Sequence, residues 1–268
     1  MRRVLFWTAV LVFAPQLGAT PIVPGYPIRP FAAVDQPRNI AFDPTTGSLV
    51  TLGRDNGELY TIDSDGTVSM KAQFEPTGHA AFVGPTVDPQ TGEVYISDYQ
   101  TGTGNRVLKV NSDGEVDVVA TGIPRPTSTA TGPDGTVYVA NYEPVGMIYR
   151  IEPGDEGPEP FATGVSLPDG IAFGPDGQLY IANRGTHSIK IVGIEGGEAR
   201  EYMNGFRNPM SVVFDERGRM FVLNFNDGTI SKVERSGTVT IFGSGFVAPV
   251  AWPSAVTTTS TSPTAAPV

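Results

Sequence analysis

The sequence predicts an all-β protein, a β-propeller of four-stranded antiparallel blades. Three observations predict it. A short pattern recurs five times, ending at residues 43, 88, 132, 174 and 215, so that successive copies step by 45, 44, 42 and 41 residues. Each copy is followed by a glycine-bearing turn and then by a run of β-branched and aromatic residues, the composition that suits a pleated, buried strand. No segment of the 268 residues shows helical periodicity. A fixed period of this length marks a repeated supersecondary unit, and a β-sandwich requires no such regular step.

Within each unit the elements can be assigned in order. The first strand is Pro37-Arg38-Asn39-Ile40-Ala41-Phe42-Asp43 in the first copy. Its counterparts are Val83-Gly84-Pro85-Thr86-Val87-Asp88, Pro126-Thr127-Ser128-Thr129-Ala130-Thr131-Gly132, Pro168-Asp169-Gly170-Ile171-Ala172-Phe173-Gly174 and Pro209-Met210-Ser211-Val212-Val213-Phe214-Asp215. The second strand is the most apolar, as in Thr136-Val137-Tyr138-Val139 and Gln178-Leu179-Tyr180-Ile181. The third alternates apolar with polar residues, as in Ser188-Ile189-Lys190-Ile191, and the fourth is the most polar, as in Glu115-Val116-Asp117-Val118-Val119. Asp65-Gly66, Asp113-Gly114 and Ser236-Gly237 join the last two strands with residues that accept the positive φ of tight hairpins. Polarity rising from second to fourth strand describes a blade whose outer edge meets water.

Five full repeats run from about Asp35 to Phe246, leaving 15 residues from Thr20 to Val34 and 22 from Val247 to Val268. Arg29 to Val34 matches the fourth strand at Glu159 to Val165, and Trp252 to Val256 matches the opening of a first strand. The expectation is a six-bladed ring with an incomplete sixth blade closed by both termini; a five-bladed ring is the alternative. The propeller domain then covers residues 20–256, and 257–268 form a flexible Thr/Ser/Pro tail.

Residues 1–19 read as a signal peptide. Arg2 and Arg3 precede eleven mostly apolar residues, Val4 to Ala14, too few to span a bilayer, and Gly18 and Ala19 suit cleavage after Ala19. Leu17 is bulky for the position three residues upstream, so an uncleaved anchor is the competing reading. The expected protein is secreted or periplasmic, monomeric and off the membrane. With no cysteine, disulfides and thiolate chemistry are excluded. Loss of Arg2 and Arg3 leaves 16 basic against 28 acidic residues, a charge of −12. That surface repels phosphate backbones, so nucleic acid is not an expected partner.

The run Leu167-Pro168-Asp169-Gly170-Ile171-Ala172-Phe173-Gly174-Pro175-Asp176-Gly177-Gln178-Leu179-Tyr180-Ile181-Ala182-Asn183 resembles the signature of NHL-repeat and gluconolactonase (senescence-marker-protein-like) six-bladed propellers. The resemblance implies the fold, and it raises one cofactor, a divalent cation (calcium, magnesium, manganese or zinc) in the central channel. Gluconolactonase-like enzymes hold that cation with a first-blade glutamate and with an asparagine and an aspartate from Pro-X-Gly turns. Asp169 matches the aspartate and is the metal candidate. Pro126-Thr127-Ser128 lacks the asparagine, and no glutamate precedes Glu58, so the chain departs from the pattern at two of three ligands. The lyases of this superfamily imply a paired histidine arrangement, whereas His79 and His187 lie 108 residues apart.

Two columns of the repeat are candidates for ligand contact. The residue after the opening proline is Arg38, Thr127, Asp169, Met210 or Ser254, expected beside the channel. The residue ending the second strand is Arg54, Asp98, Asn141, Asn183 or Asn224, which either converge on a ligand at the channel mouth or tie down their own turns. Tyr99, Tyr142 and Phe225 follow that column and form either an aromatic rim or caps on the blade edges. Asp63-Ser64-Asp65-Gly66 and Asn111-Ser112-Asp113-Gly114 resemble the start of a calcium loop but lack its later glutamate and read as hairpin turns. The expected function is a binding module for a small molecule, glycan or protein. A metal-dependent, lactonase-like hydrolase or lyase working from Asp169 is the alternative, and a truncated product without function is a third reading.

Overall fold

The strand-forming runs pair in chain order. The computed structural model of the chain describes residues 31–34, 37–53, 57–74, 81–99, 105–155 and 157–246. Blade one is β1 (Pro37–Phe42), β2 (Leu49–Gly53), β3 (Glu58–Ile62) and β4 (Val68–Gln73); blade two is β5 (Ala81–Val87), β6 (Val94–Tyr99), β7 (Arg106–Val110) and β8 (Val116–Thr121). Blade three is β9 (Pro126–Thr131), β10 (Val137–Asn141), β11 (Gly146–Ile151) and β12 (Glu159–Val165). Blade four is β13 (Pro168–Phe173), β14 (Leu179–Asn183), β15 (Ser188–Val192) and β17 (Arg200–Asn204), with the two-residue β16 (Gly197–Glu198) between the last two. Blade five is β18 (Pro209–Phe214), β19 (Met220–Asn224), β20 (Thr229–Val233) and β21 (Val239–Gly243). All pairings within blades are antiparallel; β16 adds a short parallel rung to the outer edge of β12, tying blade four to blade three.

These are five four-stranded blades, the number of the alternative reading. Of the terminal segments assigned to a sixth blade, residues 31–34 alone are described, and they carry no strand. The inner strands β1, β5, β9, β13 and β18 pack side by side in that order, whereas β18 and β1 do not pack on one another as those neighbours do. The five described blades thus form an arc. The signal segment, Trp252 to Val256 and the 257–268 tail lie outside the described residues.

Burial follows the strand order within a blade. Every residue of β10, β14 and β19 is buried, while β8, β17 and β21 are mostly exposed. A second strand is covered on both faces by adjacent blades, which is why its sequence is continuously apolar. The core is accordingly a series of layers between blades: Leu52, Leu59, Phe82 and Ile96 between blades one and two, Ile148, Leu179 and Ile181 between three and four, and Ile189, Val212 and Val222 between four and five. Each such side chain contributes roughly 1.5–3 kcal/mol by leaving water.

Aromatic rings repeat across these layers. Tyr138 on β10 meets Phe161 of its own blade at 4.7 Å and Phe173 of the next blade at 5.2 Å, both edge-on. One blade on, Tyr180 meets Tyr202 at 5.0 Å and Phe214 at 4.7 Å. Phe221 and Phe242 form the same pair in blade five, 5.0 Å apart, and Phe246 joins the cluster on that face.

The turns after the first strands use carboxylates as local acceptors. Asp43 Oδ1 accepts the backbone N–H and the hydroxyl of Thr45 (2.9 and 2.6 Å), and Oδ2 accepts the Thr46 hydroxyl at 2.9 Å. Asp88 and Asp215 receive the N–H groups of Gln90 and Arg217 in the same way, at 2.7 and 3.0 Å. In blades three and four the corresponding residue is glycine, and Asp134 and Asp176 take over two residues later.

Two predictions follow from the burial and the turns. Ile181→Ala should cost about 2–5 kcal/mol in urea unfolding, whereas Ile241→Ala on the exposed outer strand should change stability by about 0.5 kcal/mol or less. For Asp43, burial opposes the charge, but the bonds from Thr45 and Thr46 outweigh it and hold the carboxyl below its usual range. The stability this gives is fully present above about pH 4, the unfolded carboxylate value, and is lost as pH falls through the lowered folded value. Calorimetry across that range should show a flatter acid limb for Asp43→Asn than for the unaltered protein.

Candidate functional site

The inner ends of the first strands build the site. Each first strand leaves its register with the second at one end, between Arg38 and Ile40, Val83 and Thr86, Pro168 and Ile171, and Pro209 and Ser211. Bulges of this kind bend a strand and re-aim its side chains. Here they turn Asp169 and Met210 toward the axis, where both line a cavity of about 320 Å³. Neighbouring inner strands approach closely at this level. A Cβ on Gly84 would meet the Thr127 carbonyl oxygen at 2.3 Å, and one on Gly170 would meet that of Met210 at 2.6 Å, so both positions require glycine. The hydroxyl of Thr129 donates to the Gly84 carbonyl at 2.8 Å, and that of Thr86 to the Thr129 carbonyl at 2.6 Å, fixing blade two against blade three.

The cavity walls are largely apolar, with Ile40, Val83, Ile171 and Val213 among them, and hydroxyls enter from Ser128 and Ser211. One rim is polar and aromatic. Arg125 lies over Tyr99 and Tyr142, with 5.6 and 5.1 Å from its guanidinium carbon to the ring centroids. Arg184 lies over Tyr142 and Phe225, at 5.2 and 5.4 Å. The result is a stack of alternating rings and guanidinium groups, Tyr99–Arg125–Tyr142–Arg184–Phe225, running from blade two to blade five. Each cation–π contact is worth roughly 0.5–1 kcal/mol or more when desolvated.

A repeated backbone device places the stack. Arg125, Leu167 and Asn208, each just before an opening proline, are left-handed with φ of 44°, 48° and 60°. A residue before proline is normally extended, so the conformation must be held by its surroundings. It is held by the carbonyls of these three, which accept the N–H groups of Tyr142 (2.9 Å), Arg184 (3.3 Å) and Phe225 (3.1 Å). The device thus positions the residues that form the stack.

The second-strand ends lie deeper. Asn141, Asn183 and Asn224 are buried, and none is among the residues that line the cavity. Asn141 Oδ1 accepts the Met147 N–H at 2.6 Å, Asn183 Oδ1 that of Ser166 at 2.7 Å, and Asn224 Oδ1 that of Arg207 at 3.0 Å. Asn183 and Asn224 thus hold the entry turns that precede Leu167 and Asn208, whereas Asn141 ties β10 to the start of β11. Asp98, also buried and away from the cavity, accepts Arg106 Nε at 2.6 Å. Strand pairing sets Gly53, not Arg54, opposite Pro37. In this column Arg54 therefore corresponds to Tyr99 and Tyr142, one place past the asparagines. Arg54 itself, the Arg38 side chain, His79 and Ser254 lie outside the described residues. Tyr99 and Tyr142 do line the cavity.

Two residues of the site carry no signal of their own in the sequence. Arg125 stands where blades four and five have Leu167 and Asn208, and Arg184 where blades two, three and five have Tyr99, Tyr142 and Phe225 and blade one has Arg54. The alternation of arginine and aromatic residues down these two columns becomes visible once the register is known.

Asp169 Oδ2 accepts Arg184 Nη1 at 2.9 Å, with both side chains 17% exposed. Arg184 Nε also donates to Asn208 Oδ1 at 2.7 Å. Among the described residues no three histidine, aspartate or glutamate side chains come together. Asp169 is the one carboxylate among the described cavity-lining residues, and it already neutralises a guanidinium. Such a donor set does not fit a hard divalent cation, which takes six or more oxygens. His187 lies away from the cavity; its Nδ1 accepts the Asn208 N–H at 3.1 Å. The loops at Asp63 and Asn111 are hairpin turns, closed by N–H donation from Gly66 to the Asp63 carbonyl and from Gly114 to the Asn111 carbonyl.

Comparison with known proteins agrees with this architecture. The NHL repeat model matches residues 166–192, the first three strands of blade four. No curated protein matches the sequence. Among solved structures, the aldose sugar dehydrogenase of Streptomyces coelicolor in its PQQ-bound form superimposes with a TM-score of 0.64 at 16% identity, covering 85% of this chain and 86% of the other. A catalytically inactive virginiamycin B lyase from Staphylococcus aureus, solved with quinupristin, gives 0.63 at 16% identity over 78% of this chain and 70% of the lyase. A gluconolactonase from Xanthomonas campestris gives 0.62 at 17% identity over 81% and 78%. At these identities the likeness is one of fold: the chain is a β-propeller of four-stranded blades that carries an NHL repeat match in blade four.

Proposed function

We propose that this chain is a binding propeller that takes a small molecule into the cavity at the mouth of its channel. The observation that carries the reading is the cavity itself. About 320 Å³ of space lies where the bulged first strands converge, walled by apolar side chains and rimmed by Tyr99, Arg125, Tyr142, Arg184 and Asp169. An apolar concavity with a few convergent polar groups is the usual form of a small-molecule site, and the volume falls near the lower end of the roughly 300–1,000 Å³ such sites occupy. The stack restrains those polar groups before any ligand arrives, which lowers the ordering cost of binding. The N-terminal Arg2, Arg3 and Val4 to Ala14 support export, and an acidic chain without cysteine suits a soluble monomer outside the cytoplasm. Among the described residues no helix is long and apolar enough to cross a membrane.

Likeness to a gluconolactonase favours a second reading, a metal-dependent hydrolase acting at Asp169. The Asp169–Arg184 pair weighs against it, because a cation there would have to displace the guanidinium.

Two measurements separate these. In a thermal-shift screen of small metabolites, ligands that stabilise the protein should lose their effect in Met210→Trp, which fills the cavity while leaving the stack in place. Ligands unaffected by that variant would overturn the cavity as the site. Calcium, magnesium, manganese and zinc should each leave the melting temperature unchanged. One equivalent of bound metal with an upward shift that Asp169→Ala abolishes would establish the hydrolase reading instead.

A further inference from the structure

The two guanidinium groups of the stack are in different states. Arg184 is engaged, with Nε on Asn208 and Nη1 on Asp169. The one hydrogen bond Arg125 donates among the described residues is from Nε to Tyr99 Oη at 2.8 Å, and its guanidinium carbon lies 5.6 and 5.1 Å from the centroids of Tyr99 and Tyr142. Among the described residues its Nη1 and Nη2 donate no hydrogen bond; the nearest carboxylate, Glu143, stands 3.9 Å from Nη1, beyond hydrogen-bonding distance. Arg125 lines the cavity and is 38% exposed, whereas Arg184 is 17% exposed. A cavity-lining guanidinium braced by two aromatic side chains, whose terminal nitrogens donate no hydrogen bond among the described residues, is a preorganised fork for a planar oxyanion.

The local charge favours a particular anion. The described residues lining the cavity carry two guanidinium groups and one carboxylate, a net of +1 on a chain whose overall charge is −10. That balance suits a monoanion, and Asp169 and Glu143 would both repel a dianion. The walls beyond the fork, Ile40, Val83, Ile171 and Val213, would receive an uncharged, largely apolar body.

Resting on the reading of the cavity as a binding site, we infer that its ligand is a small organic monocarboxylate, with the carboxylate accepting paired hydrogen bonds from Nη1 and Nη2 of Arg125. The rest of the molecule lies along the apolar wall. The inference assigns Arg125 a specificity role and leaves Arg184 and Asp169 as an internal ion pair that holds the neighbouring rung. Glu143 then acts as a weak competitor for the fork.

The test is a set of matched probes, each an acid and its primary amide on one skeleton: benzoate and benzamide, phenylacetate and phenylacetamide, hexanoate and hexanamide. Binding to the full chain is measured by calorimetry at low ionic strength, with inorganic phosphate as a further probe. At least one acid should bind ten-fold or more tightly than its amide and than phosphate. Arg125→Gln should erase the difference between acid and amide, and Arg125→Lys should keep only a small part of it. Glu143→Gln, at a residue outside the cavity lining, should tighten the acid several-fold, and this arm does not depend on how well the Arg125 variants fold. Acids and amides binding alike, with both lost in Met210→Trp, would overturn the carboxylate inference and leave the binding site standing. Phosphate binding as tightly as the best acid would overturn the monocarboxylate assignment. No binding by any probe, together with no cavity-dependent ligand in the metabolite screen, would overturn both readings.

Discussion

A four-stranded blade of this chain has two apolar faces and can bury neither of them alone. Its second strand has no polar face to offer solvent, since every residue of β10, β14 and β19 is buried. Each blade is therefore stable only as the cover for its neighbours, and the energetic unit is the layer between two blades. The rest of the structure depends on this constraint. The steps of 41 to 45 residues, the rising polarity toward the outer strand and the edge-to-face rings where blades three, four and five meet are ways of meeting it.

The same constraint locates the site. Wedges that meet at an axis come closest at their inner strands, and glycine at 84 and 170 admits that approach. Past the point of closest approach the strands bulge out of register, and the space between them opens into the cavity. The cavity is thus a consequence of packing, and its chemistry is added from the turns. Buried Asn183 and Asn224 fix two of those turns, and backbone bonds to the left-handed residues before the opening prolines position Tyr142, Arg184 and Phe225 of the rim. Arg125, Tyr142 and Arg184 are held to one another, so the rim has a defined shape without needing a ligand to impose it.

Most of the fold was legible because it is repeated. Apolar second strands, glycine turns and the aspartates and prolines bounding the first strands recur with one physical purpose in every copy, so five instances corroborate one another. The rim was less legible for the opposite reason. Its residues occupy repeat columns in which the side chain differs from blade to blade: Arg125, Leu167 and Asn208 in one, Tyr99, Tyr142, Arg184 and Phe225 in the other. Nothing local marks Arg125 as closer to the cavity than Leu167. Asn141, Asn183 and Asn224 drew notice as a polar column, and their regularity reflects turn chemistry common to the blades. The sequence leaves the end of β2 open by one residue, so Arg54 falls in that column until strand pairing sets Gly53 opposite Pro37. In the aromatic column, Tyr99 and Tyr142 take the rim alternative: both line the cavity and lie against Arg125.

The ring clusters at the junctions bear on how such a chain can change its length over evolution. Tyr138 and Phe161 belong to one blade and Phe173 to the next; Tyr180, Tyr202 and Phe214 divide in the same way. A recombination break between blades separates each cluster into a pair and a single ring, and neither part is a finished core. Duplication of blade four as a whole rejoins a pair to a single ring at each of its boundaries. Blades can therefore be gained or lost in units of one repeat without inventing a new interior, whereas an insertion of half a blade leaves rings with no counterpart. The inheritance of this fold is in that sense quantised by its junctions.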